Sequence, residues 1–104
     1  MSFADNLKQL PSVAHLTSLQ LIDAAGQITA VIENKPGQAG SLAVYAALAA
    51  RHGSINQAAA TEGLALYAEH TADAQAHPGK HPNIDRLIEV QATGLAYSVQ
   101  TVAA

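Results

Sequence analysis

The sequence predicts an α+β fold: two β-hairpins joined in one four-stranded antiparallel sheet, packed by two central helices and a short N-terminal helix. Period-two apolar alternation near both ends of the chain points to the hairpins. An alanine-rich stretch between Ala39 and Ala76 lies between them and favours helix. Pro36-Gly37 and Pro78-Gly79 punctuate the two halves. Strands clustered at both ends, with helices between, suit a sheet covered on one face. The 104 residues are read as one domain, 1–104.

The elements follow in order. Ser2 caps a helix to Leu10, Phe3 and Leu7 share a face, and Pro11 ends it. From Thr17 to Asp23, Leu19 and Leu21 alternate with Ser18 and Gln20. After a turn at Gly26, Ile28, Ala30 and Ile32 alternate with Thr29, Val31 and Glu33, closing the first hairpin. Asn34-Lys35-Pro36-Gly37 stops the strand. Ser41 is the expected N-cap of a helix from Leu42 to His52, with Gly53 as its C′ residue. Ser54 or Asn56 caps a longer helix to about Ala76. Gly63 interrupts it at about 1 kcal/mol against alanine, so a kink is expected there. His77 to Asn83 is a turn-rich loop with two prolines. Arg86–Ala92, through Ile88 and Val90, and Leu95–Val102, through Tyr97 and Val99, make the second expected hairpin about Thr93-Gly94.

Composition narrows the function classes. Hydrophobic residues at 49% and charged residues at 12% exclude a disordered tail and a coiled coil. Without cysteine there are no disulfides, thiolate metal sites or cysteine nucleophiles. A net charge of -3 argues against nucleic acid as a partner. No apolar run reaches the ~18–20 residues that span a bilayer. The stretch from Met1 to Leu10 is not a secretory signal, so no membrane is expected and the reading is cytoplasmic. Phe3, Tyr45, Tyr67 and Tyr97 are the only aromatics. Alanine buries little area, so the core is thin and a homodimer is an expected partner state.

The candidate site lies at the end of the long helix. His70, Asp73 and His77, spaced i, i+3, i+7, line one face within about 60° of arc. The same face carries Ile55, Ala59 and Leu66, which aims the polar row inward. His81 follows beyond the Pro-Gly turn, with Glu69 and Asp85 in reserve. Histidines with a carboxylate suit a divalent metal such as zinc, nickel or ferrous iron. A metal-free pocket is the second reading: His70 as acid or base, Asp73 orienting it, Tyr67 as a donor. The third is structural, because the helix dipole favours histidine at a C-terminus and Asp73 can simply pair with His77. No HExxH or His-x-His signature is present.

Other features weigh less. Pro36 to Ser41 enters a helix, and its amides could take an anion such as phosphate, although the P-loop spacing and lysine are absent. Lys80 offers a contact to an anionic ligand. Glu62 and Glu69 read as a solvated edge, and His15 and His52 carry no assigned role. Gly53 to Ala59 is similar to the start of a LysR-type helix-turn-helix. Glu69 and Asp73 would then repel phosphates, so DNA binding is the weakest alternative.

One resemblance covers nearly the whole chain. Ile32-Glu33-Asn34-Lys35-Pro36-Gly37, Gly40-Ser41-Leu42, Gly63-Leu64, Glu69-His70 and Pro78-Gly79-Lys80-His81-Pro82-Asn83-Ile84-Asp85 carry it. The chain resembles the family of small bacterial proteins called domain of unknown function 2322. That resemblance implies a one-domain α+β fold and transfers no catalytic residue. Together these readings expect a modest ligand or metal site (His70, Asp73, His77, His81) on a small bacterial protein, with a homodimeric interaction module as the alternative. They leave open whether it is an enzyme.

Overall fold

The computed structural model describes residues 2–104, so Met1 and any reading that includes it lie outside the described residues. The elements run α1 (Phe3–Leu7), β1 (Leu16–Ile22), β2 (Ile28–Glu33), α2 (Ala39–His52), α3 (Gln57–Tyr67), α4 (Glu69–Ala76), α5 (Pro82–Thr93) and β3 (Ser98–Ala103).

Local chemistry sets several of these boundaries. Ser2 and Asp5 form a reciprocal capping box at α1. Asn56 caps α3 through the amide of Ala59 at 2.9 Å. Gly53, at φ 78°, closes α2 in the left-handed conformation that only glycine adopts without strain. The first hairpin forms, with Leu19 opposite Ile32 and Leu21 opposite Ala30, but a register shift between Leu21 and Ile22 pairs Ile28 with Ile22 and leaves Ile28 exposed instead of in line with Ala30 and Ile32. Asp23 shapes its turn by accepting the amides of Ala25 and Gln27, both at 2.9 Å. Two boundaries differ: α1 ends at Leu7, and α2 begins at Ala39 with Gln38, not Ser41, in the N-cap position.

The second hairpin and the four-stranded sheet do not form. The described residues contain one three-stranded antiparallel sheet, order β2-β1-β3, with five helices. Arg86 to Ala92 lies within α5, where Pro82 sits in the first turn and Gly94 ends the helix at φ 79°. Ile84, Leu87 and Val90 are its buried residues, three apart, so they share one helical face, packed toward α3. The terminal strand has no neighbour before it in sequence. It pairs instead with the free edge of β1, from Leu16 opposite Ala103 to Ile22 opposite Ser98.

The long helix also divides, and not at Gly63. The break is Ala68, at φ 51°, ψ -116°. Carbonyls freed near the end of α3 are taken by side chains: the Thr71 hydroxyl donates to Leu64 at 2.7 Å and the Asn6 amide to Leu66 at 2.9 Å. Gly63 is buried inside α3, where α2 and α5 crowd it. A Cβ there would lie 2.7 Å from Leu87 Cδ1 and 2.8 Å from Leu48 Cδ1. The core between helices and sheet centres on Leu19, Leu21, Ile32, Leu42, Tyr45, Leu48 and Leu87, all buried. No helix among the described residues is long and apolar enough to cross a membrane.

Candidate functional site

The break at Ala68 sets the geometry of the site. Because α4 leaves in a new direction, no single face runs from Ile55 to His77. Ala74 is the buried residue of α4, His70 and Asp73 are half-buried, and His77 is 63% exposed. The apolar stripe therefore does not continue through the polar row.

Asp73 is the hub. Its Oδ2 lies 2.6 Å from His81 Nε2 and 3.0 Å from Lys80 Nζ, while His77 Nε2 stays 3.8 Å from Oδ1. Hydrogen bonds from His81 and then Lys80 outweigh desolvation and hold the Asp73 carboxyl down at about 2. A carboxylate only accepts, so His81 donates through Nε2. Asp73 thus orients His81, the loop histidine, and not His70. His70 meets His81 ring to ring, with centroids 5.8 Å apart.

The loop carrying His81 is pinned at both sides. Gly79 N–H donates to Asp85 at 2.9 Å. The Tyr45 hydroxyl donates to the Asn83 carbonyl at 2.5 Å and accepts from Arg86 at 3.1 Å, and Arg86 also reaches the Asn83 side chain at 2.8 Å. Burial pushes the Tyr45 phenol up to about 12, against the pull of Arg86.

Helix α1 forms another wall. The Phe3 amide donates to Glu69 Oε1 at 2.8 Å, which with Glu69's own amide lowers that carboxyl below its usual range. The Phe3 ring stacks on Tyr67 at 5.1 Å and meets His70 edge-on, also at 5.1 Å. The Tyr67 hydroxyl donates to Ser41 Oγ at 2.7 Å, and burial drives its pKa upward.

These elements border an open cavity of about 370 Å³. Phe3, Ser41, Tyr67, His70, His81 and Asn83 contribute walls, with Lys80 at one side and Gly37 and Gly40 at the entry to α2. Two stretches that looked separate in sequence, Pro36–Ser41 and the His-Pro loop, therefore face each other across one space. The amides of Gly40 and Ser41, in the first turn of α2, have no acceptor among the described residues.

Of the four residues predicted as a site, His70 and His81 line this cavity, Asp73 backs it, and His77 stands outside. Among the described residues, no group of three or more His, Asp or Glu side chains is arranged to hold a metal ion. Sequence reasoning missed Phe3 as a site residue and kept Ser41 in a separate anion loop, because only tertiary packing brings Phe3 to His70 and Ser41 to Tyr67. It also missed the pairing of Glu62 with Arg51 and His52, the latter at 2.8 Å. The turn at Gly53 that folds α3 back beside α2 is the signal that could have found it.

A family model described as an uncharacterized protein conserved in bacteria (DUF2322) matches residues 3–101. The chain belongs to that family. No curated protein and no solved structure matches the chain.

Proposed function

We propose that this DUF2322 protein binds a small organic ligand in the cavity between the His-Pro loop and the entry to α2. One observation carries the reading: a space of about 370 Å³ is bordered by two imidazoles, a hydroxyl whose proton is uncommitted and the first turn of a helix. That volume and that mixture of ring surface with a few convergent polar groups are usual for small-molecule sites. Ser41 accepts from Tyr67, which leaves the Ser41 hydroxyl free to donate.

A fragment screen read by amide and ring chemical shifts tests this on the full chain. Hits are expected to move Gly37, Gly40, Ser41 and Asn83 together. Ser41→Ala and His70→Ala are each expected to weaken them about tenfold, the equivalent of one hydrogen bond. Shifts scattered over the surface, or unchanged by both substitutions, would refute the assignment.

Two other readings have particular support. A divalent metal such as zinc is the second reading: imidazoles of His77 and His81 lie 3.8 and 2.6 Å from the Asp73 carboxylate, with His70 beside His81, and a metal would have to displace the proton between His81 and Asp73. Lys80 competes for the same oxygen, 3.0 Å away. Elemental analysis and a zinc-dependent rise in melting temperature decide that reading. A homodimer is favoured by apolar residues on the outward face of the sheet, Ile28 at 55% and Val31 at 47% exposure, with Val102 beyond them. Sedimentation over a wide concentration range decides it; a constant monomer mass would count against it.

A further inference from the structure

We infer that two copies of this chain pair through the open edge of β3, antiparallel and centred on Thr101, so that the three-stranded sheet continues across a two-fold axis. The inference rests on the homodimer reading and moves its contact from the outward face to the sheet edge. It is independent of the cavity.

The first observation is the backbone. Strand β3 ends the sheet. In an antiparallel ladder successive residues address opposite neighbours. Tyr97 turns away from β1 and exchanges both backbone bonds with Ile55, at 2.9 and 3.1 Å, while the Ala104 amide returns to the His15 carbonyl at 2.9 Å. Alternation between these two points sends Ser98, Gln100 and Val102 to β1, and Val99 and Thr101 outward. Among the described residues, no strand or bridge meets Val99 or Thr101 on that side. Such a row of donors and acceptors is completed by another strand.

The second observation is charge, which selects the edge and the occupant. Exposed sheet edges are commonly guarded by charged side chains or proline. The β2 edge is guarded: Glu33 pairs with Lys35 at 2.5 Å, and the Glu33 amide donates to Gln38 Oε1 at 3.1 Å. From Val90 to Ala104 there is no Asp, Glu, Lys, Arg, His or Pro. A strand without charge meets its own copy with no like charges opposed.

The third observation is the surface beside that edge. Thr101 lies opposite Leu19 and shares its inward face, yet it is exposed. Between Thr101 and α2 runs an open groove of about 230 Å³, bordered by Val13, Leu16, Ala46, Ala47 and Ala50. Ile55 fixes the register, because it occupies the place beside Tyr97. Pairing centred on Gln100 would drive the partner's Ala103 onto Ile55. Pairing centred on Thr101 sets Val99 opposite the partner's Ala103 and avoids that collision. The Ala103 carbonyl accepts from Thr17 at 3.2 Å and has a second lone pair for the partner's Val99. The partner's Val99 then stands next to Ala103, whose neighbour Leu16 lines the groove, so apolar surface is covered along with the backbone.

Sedimentation of the full chain from about 1 μM to 1 mM should show a reversible monomer–dimer equilibrium. Thr101→Pro removes an outward N–H and leaves the β1 ladder whole, so the dissociation constant should rise at least about tenfold. Thr101→Lys and Thr101→Glu should each be monomeric where the parent is dimeric, and an equal mixture of the two should restore the dimer. Thr101 is exposed, so circular dichroism of these variants should match the parent. The chain has no cysteine of its own. Oxidised Thr101→Cys should therefore give a covalent dimer, since facing Cα atoms in such a pair lie ~5.5 Å apart, and Val31→Cys should not. A parent that stays monomeric throughout overturns the edge and the homodimer reading together. A dimer that survives Thr101→Lys, or that cross-links through Val31→Cys and not Thr101→Cys, overturns the edge and keeps the homodimer. A lysine–glutamate mixture that stays monomeric overturns the register centred on Thr101.

Discussion

Replacing Gly63 by alanine sets two opposing effects against each other at one atom. Alanine gains about 1 kcal/mol over glycine inside a helix. The added Cβ would lie 2.7 Å from Leu87 Cδ1 and 2.8 Å from Leu48 Cδ1, both closer than van der Waals contact. Each leucine is fully buried and packed on its other sides, so neither can swing toward solvent. Inserting a methyl into such a core costs about 1–3 kcal/mol through displaced rotamers and backbone shifts. The expected net effect is destabilisation by about 1 kcal/mol. That corresponds to a melting temperature about 4–8 °C lower for a domain of this size. Urea titration of both proteins measures it, with an unchanged slope showing that the unfolded state is the same. If Gly63→Ala is more stable than the parent, the close packing of α2, α3 and α5 about this residue is wrong. Gly63 would then be an ordinary weak point in α3.

Ala68→Gly should do the reverse. It relieves a backbone conformation at φ 51° that costs a side-chain-bearing residue about 1–3 kcal/mol, so a gain of about 1 kcal/mol is expected in the same titration after the flexibility of glycine is subtracted. Asp73 is ionised more readily in the fold than in the unfolded chain, whose value is near 3.8. Its contribution is therefore complete above about pH 4 and is lost as pH falls through about 2. Acid titration of Asp73→Asn should show a shallower loss of stability across that window; an unchanged profile would mean the pairs with His81 and Lys80 do not matter. Tyr45→Phe removes the donor to Asn83 and the acceptor for Arg86, and should cost about 1–3 kcal/mol. The parent should also lose stability as pH rises from 10 toward 12, where the unfolded phenol ionises first, and the phenylalanine variant should lack that component.

What sequence determined about this protein lies within a few residues of each signal. The cap at Ser2, the cap at Asn56, the left-handed Gly53 and the Asp23–Gln27 turn each satisfy their own hydrogen bonds locally, so residue type is enough to read them. The first hairpin follows because its two strands are neighbours and alternate in phase from Ser18 to Leu21, although the shift that exposes Ile28 was not legible. Membership in the DUF2322 family was legible on the same terms, as short stretches in order along the chain.

Tertiary structure decided the rest. The run from Ile84 to Val90 is short and interleaves Asp85, Arg86 and Glu89 with Ile84, Leu87, Ile88 and Val90, so the alternation through Ile88 and Val90 competes with the helical spacing of Ile84, Leu87 and Ile88. Pro82 and Gly94, bracketing it, favoured helix, and packing against α3 made that choice final. Once this segment was helical, β3 had to take the vacant edge of β1, some eighty residues away. The division at Ala68 has no glycine or proline to announce it. It exists because Asn6, from a distant helix, and Thr71 satisfy the carbonyls that the break exposes. That division turned α4 away from the apolar stripe of α3; His77 stays exposed at the end of α4, while His70 and His81, with Ser41 and Phe3, line the cavity. Such a site depends on the direction in which a helix leaves a strained residue, a property of long-range hydrogen bonds and packing that no local spacing encodes.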